Sequence, residues 1–346
     1  MPEPSPSIEA RQQAATQFLE TAGWPAARRQ PLAGDASARR YDRVWAVDGQ
    51  SAVLMDAPPN AAGHLDDFLR IGAYLRGVGL SAPRVLARDT AQGFLLLEDF
   101  GDGVFARIMA DDASRTRALY ARAIDVLLVL QPRRAPADLV ELTPARLGQM
   151  LEPASTWYLP AAGGIAQDGA ADLAGLFQSL THNMMCEARC LTLRDYHAEN
   201  LIWLPDRAGV AAVGVLDFQD AVLAHPAYDL VSILQDARRD VCGDIETAMI
   251  ARFLSGQAFD TKDFQACYAL LGVQRNLRIL GIFVRLAQQM GKPQYLHLLP
   301  RVWGHIRRNL AHPALAPLAA IVHQIFPAPT VGMIERLRQE CLTSPK

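Results

Sequence analysis

The stretch LTLRDYHAENLIWL, residues 191–204, constrains the fold more than any other. Two apolar flanks enclose Arg194, Asp195, His197, Glu199 and Asn200. A second apolar segment, AAVGVL, follows closely and runs directly into Asp217 and Phe218. LIWL and AAVGVL are therefore bracketed by Asn200 on one side and Asp217 on the other. Paired as a hairpin, they bring those two residues together at the open ends. A plain solvated turn would also favour Asp and Asn, so the surroundings must decide between the two readings.

The chemistry of the hairpin mouth is specific. An amide oxygen and a carboxylate make oxygen ligands suited to Mg²⁺. Asp195 stands just before them and is able to accept a proton. A base for a hydroxyl, together with two ligands for the metal on nucleotide phosphates, is what phosphoryl transfer requires.

The rest of the chain divides by texture. Residues 1–24 read as a Pro- and Ser-rich tail and a helix capped by Ser7, with Ile8, Ala15, Phe18 and Leu19 on one face and Gly23 ending it. Residues 25–100 read as a small antiparallel sheet with one helix. ARRYDRVWAV and SAVLMDA are strand-like runs split by DGQ, HLDDFLRIGAYLRGVG has helical spacing, and PRVLAR and GFLLLEDF form a further strand pair. Residues 101–346 are mainly helical, with patterns at about 115–131, 144–158 and 168–184 and again after residue 221. The expected fold class is α+β, a small antiparallel β N-lobe followed by a larger, mainly helical C-lobe.

Totals exclude several classes. At 346 residues the chain exceeds what one core usually supports, so two lobes are expected. A net charge of -2 with scattered arginines argues against nucleic-acid binding. No uninterrupted apolar run approaches a membrane span, and the first residues lack a signal-peptide pattern. Five cysteines make no disulfide framework. Cys186 and Cys190 have no nearby partners for a metal site. A cytoplasmic monomer is the expectation. There is no Walker motif. GDGVFA at 101–106 imitates a dinucleotide-binding turn, but no second strand ending in an acid follows it. The small residues of AGDASARRYDRV, 33–44, allow a turn whose backbone N–H groups approach a phosphate.

D-x-H-x-x-N, an apolar hairpin and then D-F resemble the aminoglycoside phosphotransferase-like kinases, which share the bilobal protein-kinase-like fold. The resemblance also takes in the loop at 34–38, the hinge-like LLLEDFGD at 95–102, and HPAYDLVSIL. It implies ATP between the lobes, Asp195 as the catalytic base, and Asn200 and Asp217 as Mg²⁺ ligands. Gly34, Asp35 and Ser37 would lie on the phosphates, Glu98 and Phe100 at the adenine, and Asp229 as a brace for the catalytic loop. Gln219 and Asp220, beside the metal Asp, and His197 are candidate substrate contacts. Arg275 in QRNLRIL is another, as a partner for a carboxylate. LAGDASARRYDRV, VLMDAPP and RNLRILGIFVRL are similar to bacterial cell-wall sugar kinases. Those act on the anomeric hydroxyl of N-acetylmuramate and N-acetylglucosamine in peptidoglycan recycling. Alternatives are an aminoglycoside or other small alcohol as acceptor, and a nucleotide-binding scaffold without turnover.

One departure stands out. Related kinases carry a third-strand Lys paired with a helix Glu. Here no lysine precedes Lys262, no Glu lies between Glu20 and Glu98, and the matching strand, SAVLMDA, carries Met55 or its neighbour at that place. Arginine can take over the charge with bidentate geometry. Arg39 and Arg43 alternate with Tyr41 on one strand face, so either can reach the phosphates.

Overall fold

The computed structural model describes residues 8–32, 39–58, 65–164, 168–185 and 189–343. Gly34, Asp35 and Ser37, expected on the phosphates, and Cys186 lie outside the described residues. The backbone groups into two units. One comprises residues 1–116 and 199–221, the other residues 117–198 and 222–346.

The first unit is built on a five-stranded antiparallel sheet. Helix α1 (Ile8–Thr21) precedes β1 (Arg28–Pro31), β2 (Arg40–Trp45) and β3 (Ser51–Asp56); α2 (Leu65–Gly77), β4 (Val85–Asp89), β5 (Phe94–Glu98) and α3 (Phe105–Asp111) follow. The strand order is β1-β2-β3-β5-β4. Alternation gives the sheet two different faces. Val44, Ala52, Leu54, Phe94 and Leu96 point to α1 and bury Ala15, Phe18 and Leu19. The Phe18 and Phe94 rings stack at 5.5 Å. Each fully buried side chain of this size contributes about 1.5–3 kcal/mol. Tyr41 and Met55, paired across β2 and β3, belong to the opposite face. Strand β1 had no sequence signal: RRQP is polar, and its proline is tolerated because the strand is at the sheet edge.

The hairpin inferred from LIWL and AAVGVL is present. Strand Leu201–Trp203 pairs with Val213–Val215 in the register Leu201↔Val215. Both of its edges are stitched into the same unit. Val215 N–H donates to Ser81 O at 2.7 Å, and Trp203 N–H to Gly103 O at 2.6 Å. A Cβ on Gly103 would lie 2.6 Å from the Trp203 carbonyl oxygen. The dinucleotide-like glycine therefore serves a close backbone approach. Sequence order assigns residues 199–221 to the helical part, whereas the structure groups them with the sheet.

The second unit is helical, with one two-stranded ladder, Cys190–Thr192 against Val222–Ala224. Its centre is the 30-residue helix Thr261–Met290, capped by Asp260 and ended by Gly291 at φ +58°. By length and composition this helix would suit a membrane span, but 78% of its most apolar window is buried inside the protein. It packs on Ala227–Leu234 and Leu299–Leu310. Gly281 admits the backbone of Pro153, which a Cβ would meet at 2.0 Å. The helix expected over 144–158 is broken into Pro144–Gln149 and a wide turn at Ala154–Tyr158, because Pro153 lacks the N–H a continuous helix needs.

Candidate active site

In the second unit, the chain leaves strand Cys190–Thr192 and turns sharply. Arg194 adopts a left-handed φ of +68°, a conformation costing roughly 1–3 kcal/mol for a non-glycine residue. Three hydrogen bonds impose it. Asp229 Oδ2 accepts from Leu193 N–H at 2.7 Å and Asp229 Oδ1 from Arg194 N–H at 2.9 Å. Ser232 Oγ donates to Arg194 O at 2.6 Å. Asp229 and Ser232 are fully buried on the helix Ala227–Leu234. Burial pushes the Asp229 carboxyl up to about 7, against the pull of the two amides and Arg275. The loop ends with Tyr196, whose hydroxyl donates to Ala123 O at 2.8 Å.

Asp195 sits on this braced turn with 42% of its side chain exposed, and Arg275 approaches its Oδ1 at 4.0 Å. Arg278 lies one helical turn further on, within electrostatic reach of Asp195, Arg194 and Arg275. The Arg275 guanidinium is 5.8 Å from the centre of the Tyr228 ring. His197 is buried. Burial, reinforced by Arg238, Arg275 and Arg239, holds its imidazole well below the ordinary value, so it is neutral at pH 7 and packs as an uncharged ring.

In the first unit, Asn200 and Asp217 flank the hairpin mouth. Leu216 N–H donates to Asn200 O at 2.9 Å, closing the ladder one step beyond the last strand pair. Asp217 has φ +56°. The next residue fixes it: Phe218 is fully buried and stacks on Phe68 of α2 at 4.9 Å. Gly72 makes room for that ring, since a Cβ there would stand 3.1 Å from it. Gln219 Nε2 donates to Asp217 Oδ1 at 2.7 Å and more weakly to Asp220 Oδ2 at 3.4 Å. Gln219, expected at the substrate, holds one oxygen of Asp217 in this structure. The donor set fits Mg²⁺, which takes one or two protein oxygens and completes its shell with phosphates and water. Among the described residues no three His, Cys, Asp or Glu side chains converge as a metal cage.

Arg39, expected on the strand, lies one residue before β2 while Arg43 is on it, and the two have different fates. Arg43 is engaged by Asp99 at 2.8 Å and Asp102 at 2.9 Å, so its charge is already matched. Arg39 is buried beside Tyr41. Burial pushes the Tyr41 hydroxyl up, the Arg39 guanidinium hydrogen-bonded to it pulls down, and the Asp217 charge pushes up. Arg39, Tyr41 and Asp217 therefore share one neighbourhood. Met55 is fully buried opposite Tyr41. Glu98 is held by Arg207 at 2.6 Å and Arg84 at 3.3 Å. The Phe100 ring lies beneath Arg207 and against Gly214, where a Cβ would stand 2.7 Å from it.

Sequence reasoning missed Ser232, which has no motif of its own, and Arg278. The i, i+3 spacing of Arg275 and Arg278 on one helix face was the available signal for the latter.

A model of the phosphotransferase enzyme family matches residues 28–268. The chain is 37% identical to N-acetylmuramate/N-acetylglucosamine kinase of Caulobacter vibrioides, over 92% of its own length and 98% of that protein. It is 31% identical to the protein of the same name in Pseudomonas aeruginosa, over 87% of this chain and 90% of the other. A choline/ethanolamine kinase family protein from Mesorhizobium loti superposes with a TM-score of 0.60 at 14% identity, covering 90% of this chain and 98% of that one. An aminoglycoside phosphotransferase of Streptomyces rimosus, solved with ADP and streptomycin, gives 0.52 at 19% identity, covering 75% and 97%. At such identities these two speak for the fold alone, the α+β architecture of protein-kinase-like enzymes. The family match and the Caulobacter relative, both spanning most of the chain, carry the conclusion that this protein belongs to the phosphotransferase enzyme family.

Proposed function

We propose that this protein transfers the γ-phosphoryl group of ATP to the anomeric hydroxyl of N-acetylmuramate or N-acetylglucosamine, acting as a cytoplasmic monomer in peptidoglycan recycling. The observation that carries this reading is the 37% identity to a kinase named for those sugars, over nearly the whole of both chains. The charge around Asp195 supports it. Arg275 approaches that carboxylate at 4.0 Å, and Arg278 lies within electrostatic reach of it and of Arg194, an environment that repels polycationic aminoglycosides.

In the proposed reaction Asp195 orients the sugar C1 hydroxyl and takes its proton. The C1 oxygen forms a bond to the γ-phosphorus, the bond from that phosphorus to the β–γ bridging oxygen breaks, and ADP leaves with the electron pair. The braced turn of Leu193, Arg194 and Asp229 keeps the Asp195 backbone fixed, so little reorganisation accompanies proton transfer. Asn200 and Asp217 hold Mg²⁺, which when bound neutralises part of the phosphate charge. Arg39 adds the cation that the absent lysine supplies in relatives. The adenine rests on backbone at residues 98–100, with Phe100 as its floor.

A coupled assay for ADP release tests the proposal, with N-acetylmuramate, N-acetylglucosamine and a panel of aminoglycosides as acceptors. Sugar-dependent ADP release with a sugar 1-phosphate product is expected. Turnover of aminoglycosides alone, or of none of these, would refute it.

A further inference from the structure

Asp195 stands in a positive field that a neutral sugar does not need. Arg275 approaches it to 4.0 Å with 13% of its own side chain exposed. Arg278 is half-buried on the same helix face, and Arg194 adjoins Asp195 in the chain. Arg238 and Arg239 add to the field at the neighbouring His197. The acids that could offset these charges are largely committed. Asp229 is turned to two backbone amides. Asp236 is 3.3 Å from Arg239 and also accepts from Arg238 N–H. His197 is neutral and contributes no charge. Guanidinium groups gathered at low exposure repel one another. Burial lowers the proton affinity of Arg278, as does the proximity of Arg194 and Arg275. Such a grouping is relieved when an anion joins it, and a planar carboxylate matches the guanidinium fork.

Resting on the proposed sugar kinase activity, we infer that Arg278 together with Arg275 forms a carboxylate-binding subsite, which makes the acidic sugar N-acetylmuramate the preferred acceptor over neutral N-acetylglucosamine. The two sugars differ by a lactyl ether that carries one carboxylate. The pair at positions 275 and 278 would take that carboxylate while Asp195 takes the C1 proton. The competing use of these arginines, stabilising the transferred phosphoryl group, would serve both sugars alike, so the two uses separate by substrate.

The test is steady-state kinetics with saturating Mg·ATP on wild type, Arg278→Met, Arg278→Lys and Arg275→Met, using both sugars. A charge-assisted hydrogen bond is worth roughly 10- to 100-fold in affinity. The N-acetylmuramate to N-acetylglucosamine ratio of kcat/KM is expected to fall by about that factor in both Met variants, mainly through KM, and to recover in part with Lys. A substrate-side control needs no mutation: on wild type, the neutral methyl ester of N-acetylmuramate should have a KM at least about 10-fold above that of the acid. An ester as good as the acid, or a loss equal for both sugars, would overturn this subsite and leave the kinase activity standing. Wild type that phosphorylates neither sugar would remove the activity and the subsite together.

Discussion

Two carboxylates, Asp195 and Asp217, stand near each other in sequence and live in opposite settings. Asp195 is held through its backbone. The turn beneath it is pinned by Asp229 and Ser232, and its side chain projects, partly exposed, among arginines. Asp217 is held through its neighbours and its own side chain. Phe218 is locked against Phe68, and Gln219 grips one carboxylate oxygen. A group that must move a proton needs a fixed backbone and an accessible oxygen. A group that must keep a metal needs its carboxylate itself oriented. The contrast supports the proposed division of tasks between the two acids, and each variant below is chosen to break one side of it.

The largest effects should come from the acids themselves. Asp195→Asn keeps the size and removes the basicity, and turnover is expected to fall roughly 10²- to 10⁴-fold. Asp217→Ala should abolish measurable turnover. Next come Arg39 and Arg43. Arg39→Ala is expected to lower kcat/KM for ATP by about 10- to 100-fold, the worth of a charge-assisted bond to phosphate. Arg43→Ala should instead show up in the melting temperature. It leaves Asp99, only 5% exposed, without its main counter-charge, a loss of about 3 kcal/mol. Equal kinetic effects from the two would erase the distinction drawn between them. Gln219→Ala should act more mildly, raising the Mg²⁺ concentration for half-maximal activity about 10-fold, as loss of a supporting contact does.

The smallest effect concerns pH and stability. His197 lies well below its ordinary value, while His225 and His305 are pushed down to about 4 by burial. All three are neutral when folded and take up protons on unfolding as the pH drops below about 6.5. The unfolded state then binds more protons, so stability is lost toward acid. Asp229, raised to about 7, works in the opposite sense, because it is protonated when folded and ionised when unfolded between about 4 and 7. Three protons against one leave stability falling toward acid near pH 5, with the slope set by about two protons. Denaturant melts across pH 4.5–7.5 would show it, and His225→Asn should flatten the slope by about one proton.

Much of this site was legible because its signals are local. The hairpin closing Asn200 toward Asp217 follows from two apolar runs with polar ends, and α2 and most strands follow from spacing. What escaped depends on distant partners. Arg43 looked like Arg39 until Asp99 and Asp102, more than fifty positions away, claimed it. Gln219 gave no hint that it would grip Asp217, since a side chain two positions from an acid has many rotamers. The grouping of residues 199–221 with the sheet rests on backbone bonds to Ser81 and Gly103, which no periodicity encodes. Strand β1 is too short and polar to announce itself.

The division of labour between the two acids is tested most directly by calorimetric titration of ATP, with and without Mg²⁺, into wild type, Asp195→Asn and Asp217→Ala. Asp195→Asn is expected to bind Mg·ATP within about threefold of wild type and to keep its Mg²⁺ dependence while turnover is lost, since a base adds little to nucleotide affinity. Asp217→Ala is expected to bind ATP equally with and without the metal. Retained Mg²⁺ dependence in Asp217→Ala, or its loss in Asp195→Asn, would contradict the account.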